Sequence, residues 1–449
     1  MPAYRSDHGL LNVSAWIRGQ PWLMSLYRLI PSAWRANALR AAISPPQNSL
    51  RFDRTPAWER HAESVVPLPD IASMGTVGPG LNVFGYLRGE FGLAESARMY
   101  SRALVQGGFK VALNDINLGL SHGWHDSSLD PWIVDDAPYS TSIFFVNPDF
   151  IGAVLKKAGL GRDTKHRIIA CWFWELEAVP EAWLPAIGMV DQIIVASTFI
   201  ETAFRKITDK PISRVPLPLY STPDSGLQRE DFGLEADKFI FLCAFDFHSS
   251  IERKNPFAAI TAFQLAFPRD RNDVSLLIKS SSGQWAPQQL RRLLDAAAAD
   301  PRISVRDDLI AKEHVQALQR CCDAYVSLHR AEGFGLGIAE CMAQGKPVIA
   351  TAWSGNMDFM DAGNSILVDY RLVPIAAGDY PHAEGARWAD PDVKAAAAAM
   401  IRLVDEPGLA ERLGQSASKV KEKLSQALVA RELGALLDRP YPHCERSIL

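Results

Sequence analysis

The sequence predicts an α/β protein built from two Rossmann-like, doubly wound halves, and three observations carry that prediction. Short apolar runs alternate with amphipathic helical stretches from residue 81 onward, the pattern of parallel strands covered on both faces by crossover helices. The stretch PISRVPLPLY at 211–220 holds three prolines and interrupts the series; such a segment continues neither a helix nor a central strand and reads as a domain boundary. A second alternating series then opens with KFIFLCAF. A single barrel has the same alternation, and the break near 216 favours two sheets.

The elements follow in order. After the flexible GTVGPG break at 75–80, LNVFGYL (81–87) reads as a strand, and a helix over 93–106 is closed by Gly107 and Gly108 before the strand FKVAL. Further strands are expected over 141–146, 167–172 and 192–196, with the helix STFIETAFRKI after the last. The second half gives KFIFLCAF, a helix after Asn255, VSLLIK, a helix over 288–298, ISVR, AYVSLH, a helix over 336–344 and PVIAT. An irregular stretch over 371–386 precedes helices over 392–404 and 409–437. The resulting domains are an N-terminal extension over 1–75, Rossmann-like domains over 76–216 and 217–405, and C-terminal helices over 406–449 that brace the two.

Composition narrows the function class. The chain has 449 residues, 48% of them hydrophobic, which suits a large packed core. A net charge of −4 argues against a surface built to coat nucleic acid. The six cysteines (171, 243, 321, 322, 341 and 444) show no CxxC pair, zinc spacing or disulfide framework, which fits a reducing compartment. Neither a secretory leader nor an apolar stretch of about 20 residues is present, so a cytoplasmic protein is expected. Residues 8–52 contain no acid but five arginines, and Leu23, Leu26, Tyr27, Ile30 and Trp34 recur at helical spacing. Such a basic amphipathic helix suits the surface of an anionic membrane; packing on the protein's own body is the other reading.

The strongest chemical signal is HRAEGFGLGIAECMAQGKPVIATAWSGNMD at 329–358. A strand ends there and a glycine-rich turn opens a helix, which favours an anionic group such as a diphosphate. Gly333, Gly335 and Gly337 let the backbone approach, with the amides of Phe334, Gly335 and Leu336 as donors. Glu332 lies before the helix and Glu340 about two turns inside it, so the two acceptors are expected to grip two parts of one ligand.

The string EGFGLxxxE followed by QGKPVIAT and SGN resembles the C-terminal signature of the retaining glycosyltransferases of family 4, which have the GT-B fold. The resemblance implies two Rossmann-like domains facing each other across a cleft. It places Glu332 beside the donor sugar, the amides of Phe334, Gly335 and Leu336 on sugar or phosphate, and Glu340 on the ribose. It also places basic residues on the donor diphosphate, and CAFDFHSSIERKNP supplies Arg253 and Lys254. The chain departs from the common form, in which an arginine follows a glycine on that strand, so Lys254 fits the pattern better than Arg253. A cation there stabilises charge that grows on the leaving group.

In the first domain GYLRGEFGLAESAR (85–98) resembles the family's glycine loop, with Gly89 and Gly92 approaching the diphosphate. The run from Cys171 to Phe199, beginning CWFWELE, and GDYPHAEGARWADPD (378–392) resemble a subgroup from bacterial polysaccharide synthesis. There Trp172 and Trp174 are candidates to stack on an acceptor sugar, with core packing as the alternative, and Glu175 to take a hydroxyl hydrogen bond or its proton. No histidine stands in WFWELE, and His166 lies at the wrong end of its strand. No metal is expected: no DxD cluster stands in a suitable turn, and Asp135 and Asp136 read as loop residues. No cofactor is implied beyond the GDP- or UDP-linked cosubstrate. The reading is transfer of a hexose, mannose or similar, to a glycan or lipid-linked glycan. An inactive sugar-binding or scaffold subunit and a nucleotide-sugar epimerase are the alternatives.

Overall fold

A computed structural model describes residues 80–120, 122–160 and 166–438; the candidate membrane-surface helix within 8–52 and Cys444 lie outside them. The first sheet contains β1 (Leu81–Gly85), β2 (Val111–Asp115), β3 (Thr141–Phe145), β4 (Arg167–Cys171), β5 (Gln192–Val195) and β6 (Ile212–Arg214), all parallel, in the order β2-β1-β3-β4-β5-β6. Its central strands are continuous apolar runs, RIIAC in β4 and QIIV in β5, buried along their whole length. That pattern is what burial on both faces demands. The crossover helices are α1 (Gly92–Gln106), α2 (Pro148–Lys157), α3 (Leu184–Met189) and α4 (Thr198–Arg205).

The second sheet comprises β7 (Phe239–Asp246), β8 (Val274–Ser281), β9 (Ile303–Asp307), β10 (Ala324–Ser327), β11 (Val348–Thr351) and β12 (Ile366–Val368). It is again parallel, in the order β12-β11-β10-β7-β8-β9. Its helices are α5 (Ile251–Lys254), α6 (Pro256–Ala266), α7 (Pro287–Ala297), α8 (Lys312–Cys321) and α9 (Leu336–Ala343). The strand order reverses between β7 and β10, and ligands of open α/β sheets bind in the crevice beyond the strand ends at such a reversal. Both turns singled out in the sequence, the one carrying Arg253 and Lys254 and the one carrying Glu332, leave from these two strands.

Three elements differ from expectation. The proline-rich stretch holds a strand after all: β6 is a short edge strand paired only with β5. Its prolines, Pro211 and Pro216, bracket the strand instead of interrupting it, which an edge tolerates. The stretch over 371–386 was expected to be irregular. It is irregular from 375 to 386, a loop that carries Tyr380, but its first residues belong to β13 (Tyr370–Pro374), which pairs antiparallel with β14 (Arg387–Pro391). A two-stranded ribbon that is only half-buried shows no clean alternation of apolar residues. The helix expected over 409–437 is three helices, α11 (Leu409–Ala417), α12 (Val420–Lys423) and α13 (Gln426–Leu437), which follow α10 (Val393–Asp405). Ser425, extended and accepting from the Leu428 amide, starts α13 afresh as its N-cap.

The C-terminal chain crosses between the sheets. The Leu219 amide donates to Leu424 O at 2.7 Å, and α13 lies on α1 so closely that a Cβ on Gly107 would stand 2.7 Å from that of Ala430. Arg167, at the start of β4, donates to the carbonyls of Leu436 and Leu437 at 3.2 Å each. Cys171, Cys243, Cys322 and Cys341 are buried and free, behaving as small apolar residues.

Candidate functional site

The short helix α5 ends in a left-handed residue, Asn255 (φ 52°). Its amide nitrogen donates to Leu328 O at 2.9 Å, and the Arg330 amide donates to Arg253 O at 2.8 Å. These bonds staple the turn after β7 to the turn after β10 and fix two cations opposite one carboxylate. Lys254 Nζ stands 2.5 Å from Glu332 Oε1. Arg253 NH1 lies 3.3 Å from Glu332 Oε2 and 2.8 Å from Ala331 O, while NH2 reaches Glu175 Oε1, on the first domain, at 3.6 Å. Tyr380 donates to Glu175 Oε2 at 2.5 Å. The structure thus gathers Glu332, Lys254, Arg253 and Glu175 into one cluster at the domain junction, closed from above by a tyrosine that sequence reasoning missed.

Burial and charge act in opposite directions here. Burial alone would raise the Glu332 carboxyl; Lys254 and Arg253 outweigh it and hold the pKa at about 2. Burial likewise opposes the charge of Arg253, and Glu175 and Glu332 more than restore it. The Tyr380 hydroxyl is pushed well up by burial and then by the Glu175 carboxylate, so it stays a donor. Because the folded pKa of Glu332 lies below that of an unfolded glutamate, its contribution to stability is present above about pH 4.5 and is lost as pH falls towards 2. Urea midpoints measured from pH 6 to pH 2.5 should therefore fall less steeply for Glu332→Gln than for the parent; parallel curves would contradict the assignment.

Beside the cluster, the EGFG turn and the SGN turn are packed backbone to backbone. A Cβ on Gly355 would lie 2.1 Å from Gly333 O. The Glu332 amide donates to Ser354 Oγ at 2.8 Å, and the Gly355 amide donates to Glu332 O at 2.9 Å. Ser354 pays for this contact with φ 78°, an unusual conformation for a residue with a side chain. Below it, Asn356 donates to Thr351 O at 3.0 Å, and its Oδ1 lies 3.1 Å from Nε2 of His329, whose pKa burial lowers. Gly335 takes φ 93° and α9 begins at Leu336, so the amides of that first turn have no intrahelical partner. Phe334 itself is buried against Phe359, with ring centroids 5.2 Å apart; only its backbone faces a ligand role.

Glu340, the fifth residue of α9, sits about one turn into it and not two. Its carboxylate pairs with Lys312 and accepts from Gln319 Nε2 at 3.2 Å. Lys312 in turn reaches Glu95 Oε1, on α1 of the first domain, at 3.2 Å. Glu95 is bound by Arg98 at 2.8 Å, and Arg98 NH1 donates to Gly89 O at 2.6 Å and Leu87 O at 3.0 Å. Burial would raise the Glu95 carboxyl, but Lys312 and Arg98 bring it to about 2. A continuous polar chain therefore links the first domain's glycine loop to Glu340. Its members Glu95, Arg98 and Lys312 were not singled out in the sequence, although the ESAR spacing places Glu95 and Arg98 on one helix face.

Gly89 is required by packing, since a Cβ there would lie 2.5 Å from the Phe91 ring; nothing lies within 4 Å of the same position on Gly92. The two tryptophans are corrections. Trp172 is 1% exposed, stacks on Phe204 and donates to Val146 O at 2.9 Å, so it is core and presents no face to a sugar. Trp174, buried too, donates to Ala178 O at 2.7 Å and packs between Trp183 and Tyr380. It holds the tyrosine rather than an acceptor. His166 bonds Ser142 Oγ at 2.8 Å beside the start of β4, away from the cleft. Among the described residues, no group of three or more His, Cys, Asp or Glu could hold a metal ion, and no helix is long and apolar enough to cross a membrane.

Residues 238–406 match the family described as Glycosyl transferases group 1. The second sheet, from β7 to β12, lies within that match. In architecture the chain is similar to Anabaena HepE, solved with UDP and glucose, at a TM-score of 0.58 and 13% identity over 80% of this chain and 99% of that one. Sucrose-phosphate synthase from Thermosynechococcus elongatus matches at 0.56 and 16%, over 80% and 98%. The pneumococcal O-GlcNAc transferase GtfA aligns at 0.47 and 15%, over 66% of this chain, which spans 56% of GtfA's length. Two parallel six-stranded sheets with this likeness have the GT-B fold. No curated protein sequence matches the chain.

Proposed function

We propose that the chain is a retaining, metal-independent glycosyltransferase that moves a hexose from a GDP- or UDP-linked donor to a glycan or lipid-linked glycan acceptor. The observation that carries this reading is the pair Arg253 and Lys254, fixed at the strand-order reversal against Glu332 and beside the unsatisfied amides of the glycine turn. Two cations and a helix N-terminus at one point form a site for a diphosphate. The UDP and glucose bound to HepE support a UDP-linked hexose as the donor.

In this reading the donor C1–O bond breaks while the bond from the acceptor oxygen to C1 forms on the same face, and the acceptor proton passes to the departing diphosphate oxygen. Lys254 and Arg253 stabilise the charge that grows on the diphosphate, as a bound cation does elsewhere. Glu332 lies where the sugar follows the diphosphate. Glu175, oriented by Tyr380, takes the acceptor hydroxyl as a hydrogen bond. Donor cleavage by the purified protein in EDTA, across GDP- and UDP-sugars, tests the proposal; the absence of cleavage with and without acceptors would favour a sugar-binding scaffold.

A further inference from the structure

Behind the cleft, where the linker and the C-terminal chain cross between the domains, lies a cavity of about 350 Å³. Its walls include Arg102 of α1, Tyr220 of the linker, Glu340 and Gln344 of the second domain, and Lys421 and Gln426 of the crossing chain. Arg102 is 3% exposed, and its Nε and NH1 are buried without a hydrogen-bond partner. Its guanidinium lies over the Tyr220 ring, 5.3 Å from the centroid, a contact that leaves Nε and NH1 without a hydrogen bond. A buried guanidinium without a carboxylate or carbonyl is costly and calls for an anion.

Two further orphan atoms define which anion. Gln426 Nε2 is a buried donor without a partner, and Gln344 Oε1 a buried acceptor without one. The Gln344 amide cannot simply be turned over, because its nitrogen is engaged by Gln319 Oε1. The walls of this cavity thus hold unmet N–H donors of Arg102 and Gln426 and one unmet acceptor of Gln344, a set whose chemistry matches an oxyanion carrying its own O–H. The Glu340 carboxylate on the wall is neutralised by Lys312, and Lys421 stands exposed at the rim. We infer that this cavity is a second binding site, separate from the donor cleft, for a hydroxyl-bearing oxyanion of the hydrogen-phosphate class. The Glu95–Lys312–Glu340 chain and the Tyr220 hydroxyl, bonded to Glu95 at 3.1 Å, form the partition between the two.

The test is calorimetric titration of the full-length protein with inorganic phosphate at constant ionic strength. The parent is expected to bind phosphate at a site that Lys254→Ala, which weakens the diphosphate cluster, leaves in place, and Arg102→Met and Gln426→Leu to bind at that site at least about tenfold more weakly. No binding to the parent, or binding lost in Lys254→Ala and kept in Arg102→Met, would overturn the assignment. Without phosphate, Arg102→Met should melt at the same or a higher temperature than the parent, since it removes an uncompensated charge. A lower melting temperature would mean that Arg102 is satisfied within the protein, and the inference would fall. None of these readouts depends on sugar transfer, so the two proposals fail separately.

Discussion

Lys254→Met is expected to lower kcat for donor cleavage and transfer by about 10²–10³, with a much smaller change in donor KM. The reason is where the charge develops. Before reaction the diphosphate is shared between sugar and nucleotide, and Lys254 meets a charge that Glu332 already balances at 2.5 Å. As the C1–O bond breaks, the leaving oxygen gains charge, and an ammonium held by a short helix and a stapled turn stabilises it without reorganising. Removal of such a preorganised donor costs about 2.7–4 kcal/mol of transition-state stabilisation. Arg253 is a less clean probe, because its side chain also holds Ser249 O and Ala331 O and its loss would leave Glu175 and Glu332 poorly compensated. Steady-state kinetics with the best donor provide the check. An equal rise in KM with kcat unchanged would assign Lys254 to ground-state binding only.

The second large effect is expected at a glycine held between two packed turns. In Gly355→Ala the new Cβ would meet Gly333 O at 2.1 Å, Gly333 C at 2.4 Å and the Phe334 nitrogen at 2.8 Å. All three are backbone atoms, so no side chain can swing away. The EGFG turn must move, and with it the Glu332 carboxylate and the first-turn amides of α9. Donor affinity should fall at least about tenfold and stability by about 1–3 kcal/mol, the usual range for overpacking a filled space. Gly92→Ala is the matching control: nothing lies within 4 Å of its Cβ position, so stability should stay within about 0.5 kcal/mol. Chemical denaturation and donor titration of the two variants side by side provide the measurement. Equal behaviour would mean that the two turns are not held against each other.

The sequence showed most of the fold because parallel strands buried on both faces leave continuous apolar runs. RIIAC, QIIV and FIFLCAFD each became a strand within a residue or two of expectation. It failed where burial is partial or a single residue resets the chain: β6 between its prolines, the β13–β14 ribbon, and the Ser425 cap that starts α13. The site divides the same way. Glu332, Lys254, Arg253 and Glu175 were legible because charged residues next to glycine turns at strand ends have few structural reasons to be there. Tyr380 and Lys312 were not, since each acts through a partner more than twenty residues away, Glu175 for one and Glu340 for the other. Trp172 misled for the opposite reason: a tryptophan at a strand end reads equally well as a sugar platform or as core, and only its burial decides.

The central claim is that Arg253, Lys254 and the glycine-turn amides together hold a donor diphosphate and carry its departure without a metal. The most direct measurement follows donor cleavage by the purified protein in EDTA, across GDP- and UDP-sugars, with the anomeric form of the transferred or released sugar read by NMR. The account predicts cleavage of one donor class, undiminished by the chelator, with the anomeric configuration of the donor kept. Cleavage that EDTA abolishes and a divalent cation restores, or a product of inverted configuration, would contradict it.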